Sequence, residues 1–230
     1  MSTLAVIPAR GGSKRLPRKN VLGFRGRPML AWTVEAARAA DVFDAVLVST
    51  EDDEIAAAAR AAGAAVRARP AALAGDAVPV AEVLADLLRG FDPLPDAVCL
   101  LMPNCPLRTG ADIADALVRH RATGADVTMS VVAYDWRRPG WALRAAGSWL
   151  RPVDADALGG GADPARLVCP SGAIRWVEPA AFLAAPGFYP VRLAGHELPW
   201  HRAIDIDEAA DLEMAACVAH ALDHGFRFAA

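Results

Sequence analysis

Long apolar runs are missing from this sequence. None approaches the ~20 residues that a bilayer-spanning helix needs, so a helical membrane protein is excluded. No basic residue precedes the first apolar stretch, and Arg10 ends that stretch within a few residues, so no secretory signal is expected. The cytoplasm is therefore the expected compartment, with no membrane partner. A basic excess is missing too: 24 Lys and Arg stand against 27 Asp and Glu, a formal net charge of −3. That balance argues against nucleic acid as a partner. The four cysteines, Cys99, Cys105, Cys169 and Cys217, form no CxxC pair, which excludes a zinc knuckle or a disulfide framework and leaves core or pocket thiols. There is no internal repeat, no Walker A sequence and no GxGxxG fingerprint.

What is present is a globular composition, 54% hydrophobic and 22% charged over 230 residues, enough for one domain. Strand-like apolar runs occupy residues 4–8, 45–49, 64–67, 96–102 and 127–132. Helical periodicity fills 28–40, 50–62, 78–89 and 110–121 between them. Thr50 with Asp53 predicts the N-terminal cap of the second helix, and Gly63 its end. The alternation predicts a three-layer α/β fold with a mostly parallel, Rossmann-like sheet. From Tyr134 the rhythm breaks, and the Trp-rich segment 134–168, with Trp136, Trp141, Trp149 and the GGGAD of 159–163, reads as a hairpin-containing insertion. Its tryptophans suit a small core, a subunit contact or a pocket wall. Strands at 173–177 and 202–206, a short helix at 180–184 and a last helix at 208–224 complete the expected chain.

Two constellations carry chemistry. Residues 9–20 hold five cations, Arg10, Lys14, Arg15, Arg18 and Lys19, beside Gly11, Gly12 and Ser13, where the first strand ends. Ligands of open parallel sheets bind outside the carboxyl ends of strands, and glycines let backbone N–H groups approach phosphate oxygens while cations neutralise them. The loop suits a polyphosphate; a solvated basic loop is the plainer alternative. Asp205-Ile206-Asp207 puts two carboxylates on one face if residues 202–206 are a strand, a pair suited to Mg²⁺. Equally, Asp207 could simply cap the final helix. Together the two constellations are what nucleotidyl transfer needs, though a hydrolase uses similar parts. Glu51-Asp52-Asp53 is explained by helix capping, His220 and His224 by a surface pair, and Cys105 by a pocket-lining thiol without a base nearby.

These residues resemble the acylneuraminate cytidylyltransferase family, which activates sialic and related nonulosonic acids as CMP-sugars. IPARGGSKRLPRKN at 7–20 is similar to its N-terminal motif, and VSTEDDEI at 48–55 resembles VSTDDEEI. RPAALAGD (69–76), PNCPLRTGADI (103–113), PSGAIRW (170–176) and AIDIDEAADLEMA (203–215) follow in the family's order. The resemblance implies a glycosyltransferase-A-like nucleotidyltransferase domain over 1–230, CTP as donor, a small acidic sugar as acceptor, Mg²⁺ and a homodimer. It assigns the nucleotide to Arg10, Gly11, Gly12, Ser13, Lys19, Asn20 and Arg69, and the metal to Asp205 and Asp207. Catalysis falls to Arg10, Lys19 and Asp207, and the acceptor side to Met102, Asn104 and Arg108. Departures gather on that acceptor side: Met102 stands where the family has Gln, Asn104-Cys105 replaces Thr-Ser, and the RxQ-type segment is reduced to Arg166 at another spacing.

Overall fold

The structure, a computed structural model, describes residues 2–134, 139–146, 148–153 and 167–228. Strand β1 (Thr3–Pro8) leads through the basic loop to a short ribbon of β2 (Gly23–Phe24) and β3 (Arg27–Pro28), then to α1 (Met29–Ala39). The ribbon turns on Arg25 and Gly26, both at positive φ (51° and 75°), the pairing that tight hairpins use. There follow β4 (Ala45–Thr50), α2 (Asp53–Ala61), β5 (Ala65–Ala68), α3 (Val80–Leu88), β6 (Ala97–Leu100), α4 (Gly110–Thr123) and β7 (Val127–Ala133). Then come the hairpin β8 (Leu143–Ala146) and β9 (Trp149–Pro152), β10 (Val168–Val177), α5 (Pro179–Ala184), β11 (Leu193–Glu197) and α6 (Ala209–Asp223).

Seven strands form one sheet in the order β11-β7-β10-β6-β1-β4-β5. Only β10 runs antiparallel to its neighbours, so the expected mostly parallel, three-layer α/β fold is what the chain adopts. Alternation along β1 sends Ala5 and Ile7 into the core beneath α1, α2 and α4, and Leu4 and Val6 into the core beneath α3 and α5. A third cluster packs Ala215, Val218 and Ala219 of α6 against Phe24, Met29, Ile204 and Ile206.

Several expectations need correction. Residues 202–206 are not a strand. A 3-10 turn at Trp200–Arg202 precedes an irregular segment, and the apolar alternation of Ile204 and Ile206 reflects burial beneath α6. The edge position beside β7 belongs instead to β11, whose sequence LAGHE is too polar and too interrupted by glycine to announce a strand. The α2 cap is Asp52, whose carboxylate accepts from Ile55 N at 2.9 Å; Thr50 ends β4 and accepts from Asp52 N. Glu208 caps α6 in a reciprocal pair with Asp211, so Asp207 is left without a capping role. The expected hairpin in the 134–168 segment is present as β8–β9. Trp136, the loop 159–163 and Arg166 lie outside the described residues, while Trp149 is 76% exposed.

Candidate active site

The sheet order sets the location. From β1 the chain moves outward to β4 and β5 on one side, whereas β6 lies on the other side of β1, so the loops after β1 and β6 diverge at a switch point. A cavity of about 570 Å³ opens there, lined by Arg10, Ser13, Lys19 and Asn20 from the first loop and by Met102 and Asn104 from the second. Asp205 and Asp207 close it from the segment before α6, and Arg69 and Asp76 from the turn after β5.

Residues far apart in the chain thus converge. Asn20 is buried, donates Nδ2 to Arg10 O at 2.9 Å, and has no partner for its Oδ1 among the described residues. Arg69 is buried as well and is anchored through Nη2 to Ser49 O at 2.7 Å. Burial works against its charge, partly offset by Glu51. The cations of the loop are all held by acids. Arg10 and Lys14 meet on Asp76, Lys19 Nζ lies 2.7 Å from Asp207 Oδ1, Arg15 bonds Asp207 Oδ2, and Arg18 pairs with Asp52 and Glu54. A polyanion entering the cavity therefore finds positive groups already fixed in place, with exchangeable carboxylates standing where phosphate oxygens could bind.

Asp205 and Asp207 are brought to one side by Asn104 rather than by strand alternation. Its Nδ2 bonds the Asp205 carboxylate and lies 3.2 Å from Asp207 Oδ1. Crowding by protein and the neighbouring Asp207 charge raise the pKa of Asp205, although its side chain still meets cleft water. Burial also pushes Asp207 upward, but hydrogen bonds and charges from Lys19 and Arg15 bring it below the usual carboxylate range. Two adjacent carboxylates that disfavour each other's charge fit a small divalent cation. Among the described residues no cluster of three or more His, Cys, Asp or Glu forms. The donor set accordingly suits Mg²⁺, which keeps waters and phosphate oxygens in its shell, better than a metal caged wholly by protein.

Other expected site residues sit differently. Gly11 and Gly12 do not line the cavity. Gly11 N donates to Glu51 Oε1 at 2.7 Å, and a Cβ there would stand 2.5 Å from Asp52 Oδ2, so the glycine is required by the close approach of the α2 cap. Arg108 is buried beneath the floor, its guanidinium bonded to Ala173 O, Met102 O and the Thr33 hydroxyl. It braces the β6 loop against β10 and does not line the cavity. Cys105 is core rather than pocket lining, and burial pushes its thiol up to about 12. His220 and His224 are an exposed pair, as expected. Sequence reasoning missed Asp76 and the apolar wall of Val78, Val80 and Val83; the only signal for Asp76 was the RPAALAGD motif that it ends.

Comparison with known proteins bears on the family and the fold. The family model described as Cytidylyltransferase matches residues 4–134. CMP-N,N'-diacetyllegionaminic acid synthase of Legionella pneumophila is 36% identical over 159 residues, 66% of this chain and 67% of that protein. Pseudaminic acid cytidylyltransferase of Campylobacter jejuni is 38% identical over 111 residues, 46% of this chain and 48% of that protein, so the chain aligns with about half of this second relative's length. The solved structure of CMP:2-keto-3-deoxy-manno-octonic acid synthetase complexed with CTP superposes with a TM-score of 0.72, covering 96% of this chain and 99% of that one. At 18% identity that likeness speaks for the fold alone.

Proposed function

Because the chain belongs to the cytidylyltransferase family, we propose that it transfers CMP from CTP to the anomeric hydroxyl of a sialic-acid-like 2-keto sugar acid, releasing pyrophosphate. The observation that carries this reading is the convergence of Arg10, Lys19 and Asn20 with the Asp205/Asp207 pair on one cavity at the switch point of the sheet.

In this reading the triphosphate displaces Asp76 and Asp207 from the loop cations. Arg10 and Lys19 then hold its oxygens and stabilise charge that builds during displacement. Asn20 Oδ1 and the anchored Arg69 face the nucleoside. The acceptor oxygen attacks the α-phosphorus, the bond from that phosphorus to the β-phosphate oxygen breaks, pyrophosphate departs, and the hydroxyl proton passes to water. Asp205 and Asp207 would hold Mg²⁺, which when bound supplies charge neutralisation and alignment of the phosphates. Met102 and Asn104 stand on the acceptor side, with Arg108 bracing them from below.

The enzyme works in the cytoplasm, where nucleoside triphosphates are available and its four free cysteines stay reduced. It pairs as a homodimer. Support for pairing comes from the hairpin, where Trp149, Leu150 and Val153 are 76%, 65% and 58% exposed. Purified protein should elute in light scattering at twice the chain mass.

The decisive experiment is pyrophosphate release with Mg²⁺, each of the four nucleoside triphosphates, and a panel of N-acetylneuraminic, diacetyllegionaminic, pseudaminic and 3-deoxy-manno-octulosonic acids. CTP with at least one acid should give turnover. Stabilisation by another triphosphate in place of CTP, or CTP binding without pyrophosphate release, would overturn the reading.

A further inference from the structure

Arg175, half-buried, stands apart from the buried cations Arg69 and Arg108. It lies on β10 directly after the irregularity between Pro170 and Arg175, with its Cα opposite Leu100 of β6 and Met129 of β7. Ile174 and Trp176 enter the core beneath α1 and α4, while Val177 enters the core beneath α3 and α5, so Arg175 shares the second face. That is the face from which Val80 and Val83 wall the cavity, and Met102, two residues beyond the end of β6, belongs to both. The guanidinium rests over the Phe188 ring, 5.0 Å from its centroid.

Among the described residues this guanidinium has no hydrogen-bond acceptor and no carboxylate at ion-pair distance, and its Nε is buried without a partner. Arg69 and Arg108 are spent on backbone carbonyls and hydroxyls. A cation drawn partly out of water without an anion is disfavoured unless something else compensates it. Burial indeed works against the Arg175 charge, with relief from Tyr189, Cys105 and Asp205. Its strand reaches the cavity: a Cβ built on Gly172 of β10 would stand 3.0 Å from Asp205 Oδ2 and 3.5 Å from Met102 Cγ. The phosphate-facing loop has its own cations, each matched to an acid. Arg175 belongs to β10, a different part of the chain. The arrangement therefore holds one cationic group in reserve for a second anion that is not the triphosphate.

We infer that Arg175 is the specificity-determining residue that binds the carboxylate of the acceptor acid, placing its neighbouring anomeric hydroxyl toward the phosphate site between Asp205 and Met102. A planar guanidinium accepts a carboxylate through two parallel N–H···O bonds, and Phe188 fixes the plane of the fork. This rests on the cytidylyl-transfer reading.

The test uses the full-length protein, Mg²⁺, CTP and the acid panel above, with each acid also supplied as its 1-carboxamide. Wild type should prefer acid over amide by about tenfold or more in kcat/KM. Arg175→Gln should raise the acceptor KM by about tenfold or more, leave the CTP KM within about twofold, and erase the preference for acid over amide. Arg175→Lys, which keeps the charge but loses the fork, should fall between the two, and it carries the test should Arg175→Gln fail to fold. Stabilisation by CTP in a thermal melt verifies folding of each variant. Retention of both the acceptor KM and the acid preference in a folded variant would overturn the inference while leaving cytidylyl transfer standing. Absence of pyrophosphate release from wild type would instead overturn the transfer reading, and this assignment with it.

Discussion

Lys19 and Asp207 show how much the site depends on single side chains. Lys19 Nζ is 2.7 Å from Asp207 Oδ1, and the amine is largely buried, so it is preset to meet an anion. Lys19→Ala removes a fixed positive charge from the phosphate site and should lower kcat by about 10²–10³-fold, the loss typical of one preorganised charge-stabilising group. Its thermal midpoint should stay close to wild type, because the pair spans the cavity and not the core. Asp207→Asn should flatten the dependence of rate on Mg²⁺ concentration while leaving α6 intact, since Glu208 and Asp211 form the cap of that helix. An unchanged Mg²⁺ titration would show that Asp207 holds no metal. Cys105, fully buried with its thiol held up to about 12, should resist alkylation in the native protein at neutral pH.

At the scale of elements, β10 is the piece that joins fold to site. It is the antiparallel member of the sheet, inserted between β6 and β7, and its pairing with β7 shifts register between Pro170 and Arg175. The hydroxyl of Ser130 on β7 stabilises the irregular stretch: its Oγ accepts from Ile174 N at 2.9 Å and donates toward Ile174 O at 3.1 Å. Irregularities of this kind re-aim side chains near active sites. Here the shift brings Gly172 against Asp205, where a Cβ would lie 3.0 Å from Asp205 Oδ2 and 3.5 Å from Met102 Cγ. Gly172→Ala should therefore displace the carboxylate and weaken Mg²⁺-dependent turnover by about tenfold or more. Stability should change by less than about 1 kcal/mol, since the contact is with a side chain that can move. A steady-state Mg²⁺ titration beside a urea melt separates the two effects.

Across the whole molecule, histidines that burial keeps neutral contribute to stability in the mildly acidic range. His120 sits on the buried face of α4 with Nδ1 3.0 Å from Thr128 Oγ1, and burial lowers its pKa from 6.5, with Glu178 and Asp126 opposing and Arg121 assisting. His196 and His201 are lowered by burial too. A group whose folded pKa is depressed binds protons more readily when unfolded. Stability is thus fully present above 6.5 and declines as pH falls through the folded value. The urea midpoint should drop between about pH 7.5 and about pH 5 in wild type, and drop less in His120→Gln, which keeps a hydrogen-bonding amide and cannot titrate. An equal drop in both would assign the acid sensitivity elsewhere.

Much of this was legible before folding was considered. The alternation of apolar runs with helical periods fixed the three-layer sheet, because strands buried on both faces and amphipathic helices leave distinct spacings. The basic loop announced itself through five cations within twelve residues of a chain that is acidic overall, a local charge no packing requirement explains. Tertiary structure decided the rest. The Asp205/Asp207 pair owes its shared side to Asn104, a hundred residues away, and not to a strand; β11 takes its place through pairing with β7, which its own polar sequence could not reveal. Gly11 serves the Asp52 cap, and Arg108 serves the chain's carbonyls. Arg175, indistinguishable by spacing from any polar residue on a strand, becomes a half-buried cation in want of an anion only when β10 is laid between β6 and β7. Local patterns are written by neighbours in sequence, whereas charge balance is settled by neighbours in space.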